Sequence, residues 1–155
     1  MAESYKILIA NGVNLDLLGR RDPNLYGSFS LSDLESELKT EASALTKHFA
    51  IKNIDLNFFS TNDESKLLTE ISKDWDGAVI NAGAWTHTSL ALGDRLASLS
   101  LPFIEVHISN LSRREFFRQK SYLASHAIGV IYGLGMTSYS AGLYALIKKL
   151  RAKSE

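Results

Sequence analysis

The strongest constraint on this chain is an alternation, five times over, of a short apolar run with a segment of helical period. The run Tyr5 to Ala10 carries Ile7, Leu8 and Ile9 and reads as a buried strand. Leu31, Leu34, Leu38, Ala42, Leu45 and Phe49 then step by three and four, one face of a helix. Ser32 with Glu35 fits a capping box at its start, and His48 falls in its last turn, where a cation suits the helix dipole. Ile51 to Phe59 alternates Ile54, Leu56 and Phe58 with polar neighbours, as an edge strand would. Thr61 with Glu64 opens a second helix, with Leu67, Leu68, Ile71 and Trp75 inward. Ala78 to Ile80 is a short buried strand, and Ser89 to Leu99 a helix with Leu92, Leu96 and Leu99 inward. Phe103 to Ile108 is a strand, Leu111 to Arg118 a short helix, and Ala127 to Tyr132 a fifth strand. Tyr139 to Ala152 is a last helix, striped by Leu143, Leu146, Ile147 and Leu150.

Strands alternating with helices imply a parallel sheet covered on both faces. Five of them in 155 residues suit a flavodoxin-like, doubly wound α/β fold, read as one domain over 1–155. Lys+Arg and Asp+Glu number 17 each, which argues against a dominant nucleic-acid role. With no cysteine, disulfides, thiol catalysis and thiolate metal sites are excluded. MAESYK lacks the basic start of a signal peptide, and no apolar run approaches the roughly 18 residues of a membrane span. The expectation is a soluble, cytoplasmic domain without a membrane or nucleic-acid partner.

In open α/β sheets ligands bind at the carboxyl ends of the strands. Three polar blocks occupy those ends. The first, from Asn11 to Gly27, is too long and polar for a simple connection, and such loops are usually functional. It places Arg20 and Arg21 shortly before Tyr26, and nearby positive charge favours a phenolate. A surface loop with solvated arginines is the plainer alternative. The second, NAGAWTHTS, puts Asn81 at a strand end and His87, Thr88 and Ser89 before a helix N-terminus able to hold an anion. Capping by Thr86 or Thr88 is its plainer alternative. In the third, FIEVHISNLSRREFFR, Glu105 and His107 are two apart on a strand and share a face. A carboxylate beside a histidine suits a general acid, although a satisfied buried histidine has the same pattern. Arg114 and Arg118, four apart, would share a helix face, either toward a ligand or toward solvent. No His, Asp and Glu grouping has metal-ligand spacing. Gly133-Leu-Gly135 lacks the third glycine of a dinucleotide fingerprint, since Ser138 stands there, and reads as a tight turn.

The blocks GVNLDLLGRRDPNLYG, NAGAWTHTSLALGD, IEVHISNLSRREFFRQKSY and GVIYGLGMTSY together resemble, in order and spacing, those of type II 3-dehydroquinate dehydratase. The resemblance covers nearly the whole chain. It implies a flavodoxin-like lyase that removes water from 3-dehydroquinate by anti elimination, with neither cofactor nor metal. By that resemblance Tyr26 is the base, Arg21 and Arg114 favour its phenolate, and Asn14 holds a water near the enolate oxygen. His107 is the general acid, with Glu105 beside it. Asn81, His87, Ile108, Ser109 and Arg118 match substrate-binding positions, and Asp94 an acid supplied by a neighbouring subunit. The resemblance also implies a homo-oligomer, a dodecamer of trimers. Departures from the pattern are Val13 for a usual proline, Asp16 for asparagine, Gly93 for a common arginine and Trp85 for another apolar residue. The alternative function is a non-catalytic flavodoxin-like module binding a nucleotide or anion.

Overall fold

The structure, a computed structural model, describes residues 3–154. Five strands, β1 (Ser4–Asn11), β2 (Asn53–Ser60), β3 (Gly77–Asn81), β4 (Phe103–His107) and β5 (Gly129–Tyr132), form one sheet in the order β2-β1-β3-β4-β5. Every neighbouring pair is parallel. This is the flavodoxin-like doubly wound order, and the direction of winding reverses between β1 and β3. The helices are α1 (Pro23–Tyr26), α2 (Leu31–His48), α3 (Glu64–Ile71), α4 (Leu90–Ser98) and α5 (Thr137–Ser154).

Strand periodicity divides the core. Ile7 and Ile9 of β1 face a cluster with Leu34, Leu38, Leu143 and Ile147 of α2 and α5. Leu8 and Ala10, on the opposite face, join Leu67, Ile71, Leu92 and Leu96 of α3 and α4. All four of these strand residues are fully buried, and each large aliphatic side chain so placed contributes about 1.5–3 kcal/mol. α5 lies close on the sheet because Gly142 has no side chain; a Cβ there would sit 2.9 Å from Val106 Cγ1. β2 is the edge strand its alternation suggested, with Leu56 and Phe58 only partly buried.

Some expected local signals are realised by neighbouring residues. The capping box of α2 is Ser30 with Asp33, not Ser32 with Glu35; Ser30 Oγ accepts from Asp33 N at 3.1 Å and Asp33 Oδ2 accepts from Ser30 N at 2.8 Å. Asp63, not Thr61, caps α3, because its carboxylate takes both the Ser65 and Lys66 N–H groups. The segment 111–118 is not one helix. It is two 3-10 turns, Leu111–Arg113 and Phe116–Arg118, with Arg114 extended between them. The spacing argument for Arg114 and Arg118 therefore fails, although the chain still brings both to one cleft.

Candidate active site

The carboxyl ends of β1, β3 and β4 meet around a cleft of about 440 Å³. Gly12 N donates to the Asn81 carbonyl at 2.8 Å, and a Cβ on Gly12 would lie 2.4 Å from the Ala82 oxygen. Glycine is thus required where the first loop leaves β1 against the second. Of the twelve residues expected at the site, all but Glu105 and Asp94 line this cleft. A wider groove of about 810 Å³ lies between α2 and β2. It is a surface furrow in which Lys39 already pairs with Glu35 and Thr46 bonds the Ala42 carbonyl, so we place the chemistry in the smaller cleft.

One wall comes from the first loop. Asn14 adopts a left-handed conformation (φ 65°), and its N–H donates to Asn62 Oδ1 at 2.7 Å. The single turn of α1 is started by Pro23 and capped by Asp22, and it ends on Tyr26. Arg21 Nη2 donates to the Tyr26 hydroxyl oxygen at 2.8 Å, and its guanidinium carbon stands 3.7 Å from the ring centre. Arg114 Nη1 donates to the same oxygen at 3.2 Å and to Ser109 Oγ at 3.1 Å. Two guanidinium groups from different parts of the chain therefore address one phenol oxygen. That arrangement stabilises negative charge there.

The other wall is built on β4. Glu105 is fully buried, and its Oε1 lies 2.7 Å from His107 Nε2. Thr86 Oγ1 donates to Glu105 Oε1 at 2.5 Å, and Ser121 Oγ lies 2.9 Å from both carboxylate oxygens. Burial alone would push the Glu105 carboxyl up. The His107 hydrogen bond and charge, with the two hydroxyls, outweigh it and hold the group below the ordinary glutamate range. Glu105 is thus a support behind the cleft, not part of its lining.

Between the walls, His87 stacks on His107 with ring centres 6.1 Å apart. Its Nδ1 lies 2.7 Å from the Lys120 carbonyl, which fixes that nitrogen as the donor and leaves Nε2 as the acceptor in the neutral ring. Burial holds His87 below the usual histidine value. Asn81 Oδ1 accepts from Gly83 N at 3.1 Å, while Asn81 Nδ2 donates to the Tyr139 hydroxyl at 2.8 Å. Tyr139 in turn donates to Asn11 Oδ1 at 2.6 Å. Arg118 Nε is buried and 2.9 Å from Glu115 Oε2, an ion pair whose N–H is not aligned on that oxygen.

Asp94 is exposed on α4, away from the cleft of its own chain. The N-terminus of α4 is not an anion site. Ser89, rather than Thr86 or Thr88, caps it, accepting from Leu92 N at 2.9 Å, and the Glu64 carboxylate already sits against Ser89. Gly93 has a packing reason: a Cβ would stand 2.6 Å from the Tyr122 carbonyl oxygen. Ser121, Asn11 and Tyr139 received no site role from the sequence, and Thr86 only that of a helix cap. Tyr139 reads as the first residue of the last helix, and Ser121 lies in a stretch without period. Among the described residues, no group of three or more His, Asp and Glu side chains could hold a metal ion.

The family model described as dehydroquinase class II matches residues 5–147. A 3-dehydroquinate dehydratase of Prochlorococcus marinus is 45% identical over 150 residues, covering 95% of this chain and 98% of the relative. That of Pseudoalteromonas translucida is 44% identical over 154 residues, covering 97% and 98%. Among solved structures, the type II dehydroquinase of Butyrivibrio crossotus matches with TM-score 0.85 and 35% identity, covering 93% of this chain and 98% of that one. With near-complete coverage in both sequence and structure, the chain belongs to the class II dehydroquinase family.

Proposed function

We propose that this enzyme, a hydro-lyase of its family, dehydrates 3-dehydroquinate to 3-dehydroshikimate by anti elimination through an enolate. The observation that carries the mechanism is the convergence of Arg21 and Arg114 on the Tyr26 oxygen, in the same cleft as a histidine backed by a buried carboxylate.

A proton alpha to a ketone is weakly acidic, so its removal needs a strong base and a stabilised enolate. Tyr26, as phenolate between two guanidinium groups, takes the C2 proton. Asn14 holds a water against the developing enolate oxygen. As the enolate collapses, the C1–O bond breaks and the departing hydroxyl leaves as water with a proton from His107. Glu105 engages Nε2, so Nδ1 is the ring nitrogen that delivers the proton. The enzyme then returns to its starting state by moving one proton from Tyr26 to solvent and taking one from solvent at His107. Ile108 and Ser109 receive the substrate carboxylate on their backbone N–H groups, while Asn81, His87 and Arg118 orient the ring hydroxyls. A non-catalytic binder has no use for a base and an acid on opposite walls of one cleft.

We assign Asp94 to the cleft of a neighbouring subunit, within a dodecamer of trimers, and the protein to the cytoplasm. Light scattering of the purified protein tests the assembly. Substrate deuterated stereospecifically at C2 tests the elimination: anti geometry releases the deuterium that lies trans to the C1 hydroxyl and retains the one that lies cis, and the reverse pattern, or loss from both epimers, would refute it.

A further inference from the structure

The mechanism uses Glu105 but not the two hydroxyls that hold it. Thr86 comes from the 3-10 segment after β3 (Gly83–His87), and Ser121 from the irregular chain after the second 3-10 turn that follows β4. Thr86 is fully buried. The segments are docked by a main-chain bond, Tyr122 N to the Thr86 carbonyl at 2.8 Å. Ser121 Oγ accepts from Leu123 N and Ala124 N, both at 3.0 Å. Its two lone pairs are thereby occupied, so its single hydrogen goes to the carboxylate. Thr86 and Ser121 Oγ atoms are 3.0 Å apart; with the Ser121 oxygen saturated, the Thr86 hydrogen is likewise directed to Glu105. A carboxylate that receives Thr86, Ser121 and His107 has donors and no acceptor around it. A proton on Glu105 Oε1 would displace one of them.

We propose that Thr86 and Ser121 are positioning residues that keep Glu105 a hydrogen-bond acceptor and so fix the ring of His107 with Nδ1 presented to the leaving hydroxyl. The inference rests on the reading of His107 as general acid. The titratable group on the carboxylate is His107 of its own strand, with His87 stacked beyond it; Arg118 and the Lys120 main chain act on His87. Lys120 Nζ lies over the Tyr122 ring, 4.6 Å from its centre, rather than on Glu105. β3 contributes no titratable side chain, and Tyr132 of β5 bonds Ser112 at 2.9 Å.

The test is the pH dependence of kcat for wild type, Thr86→Val, Thr86→Ser and Ser121→Ala. With a donor removed, Glu105 binds its proton at higher pH, so the acidic limb of the profile moves upward by about one unit, a tenfold change in proton affinity. Thr86→Ser keeps the hydroxyl and keeps the limb in place. A merely structural role would lower activity by the same factor at every pH, and that result overturns the proposal. Ser121, on the partly exposed side of the cradle, carries the test if Thr86→Val does not fold. His107→Asn separates the two levels. If it turns over like wild type, the general-acid reading itself fails. If it is impaired while the hydroxyl variants leave the limb unmoved, only the positioning role fails.

Discussion

The two walls of the cleft are built differently. His107 and Glu105 sit on β4, a fully buried strand, and the Thr86 and His107 contacts to the carboxylate are short and buried. Tyr26 and Arg21 sit on a loop that holds only single turns, half exposed, and the Tyr26 oxygen is engaged by arginines rather than by the core. A strand fixes a side chain through ladder bonds and packing. The first loop has no ladder bonds and is held by Leu15, Leu18 and the Tyr26 ring packed on the core, by its cap and by ion contacts, which leaves it freer to open for substrate and close over it. On this account the strand-borne wall is the more rigid of the two, although the arginine contacts to the Tyr26 oxygen are already formed without substrate.

The comparison can be broken at several points. The largest effect is expected from Tyr26→Phe, which removes the base and should lower kcat by about 10³–10⁴-fold. Substrate binding by calorimetry should change little, because the ring remains. His107→Asn should cost less, about 10²–10³-fold in kcat, since solvent can protonate a leaving hydroxyl more readily than it can replace the base. Arg21→Gln removes one charged donor to the Tyr26 oxygen, worth about 1.5–3 kcal/mol, and should lower kcat by about 10–150-fold. Arg114→Gln should do less, from its longer contact, and the double variant should fall short of the product because both donors serve one oxygen.

Acid stability probes the histidine and carboxylate side of the cleft. The Glu105 carboxyl is held below its ordinary value of 4.5 in the folded state, so its contribution to stability is present above that value and is lost as pH falls through the lower folded one. His87 is also held low, and the stability linked to it is present above its ordinary value of 6.5 and declines as pH drops below. Chemical denaturation between neutral pH and pH 3 should therefore show a decline that is shallower in Glu105→Gln. The same titration of Tyr26→Phe should run parallel to wild type.

How far the sequence could be read follows the same division. Strand alternation located β1 to β5 within two residues or so, and the pairing of Glu105 with His107 followed from the two-residue period of a strand. The stepwise leucines located α2 and α5. Four-residue spacing misled at Arg114 and Arg118, because Arg114 is extended and separates a 3-10 turn capped by Asn110 from a second turn that begins at Phe116. The first loop showed its residue types but not its geometry; Arg21 meets Tyr26 through a turn set by the Asp22 cap and Pro23. The polar contacts of Thr86, Ser121 and Tyr139 were invisible for another reason. Each is tied to residues at least 16 positions away, and no local period carries that information.

The most direct measurement of the central claim is the ultraviolet absorbance of the conjugated enone formed from 3-dehydroquinate, followed for wild type and Tyr26→Phe with the fold of each checked by circular dichroism. The account predicts a rising signal from wild type and almost none from a folded Tyr26→Phe. Equal signals from both would contradict Tyr26 as the base, and a folded wild type without signal would contradict the dehydratase itself.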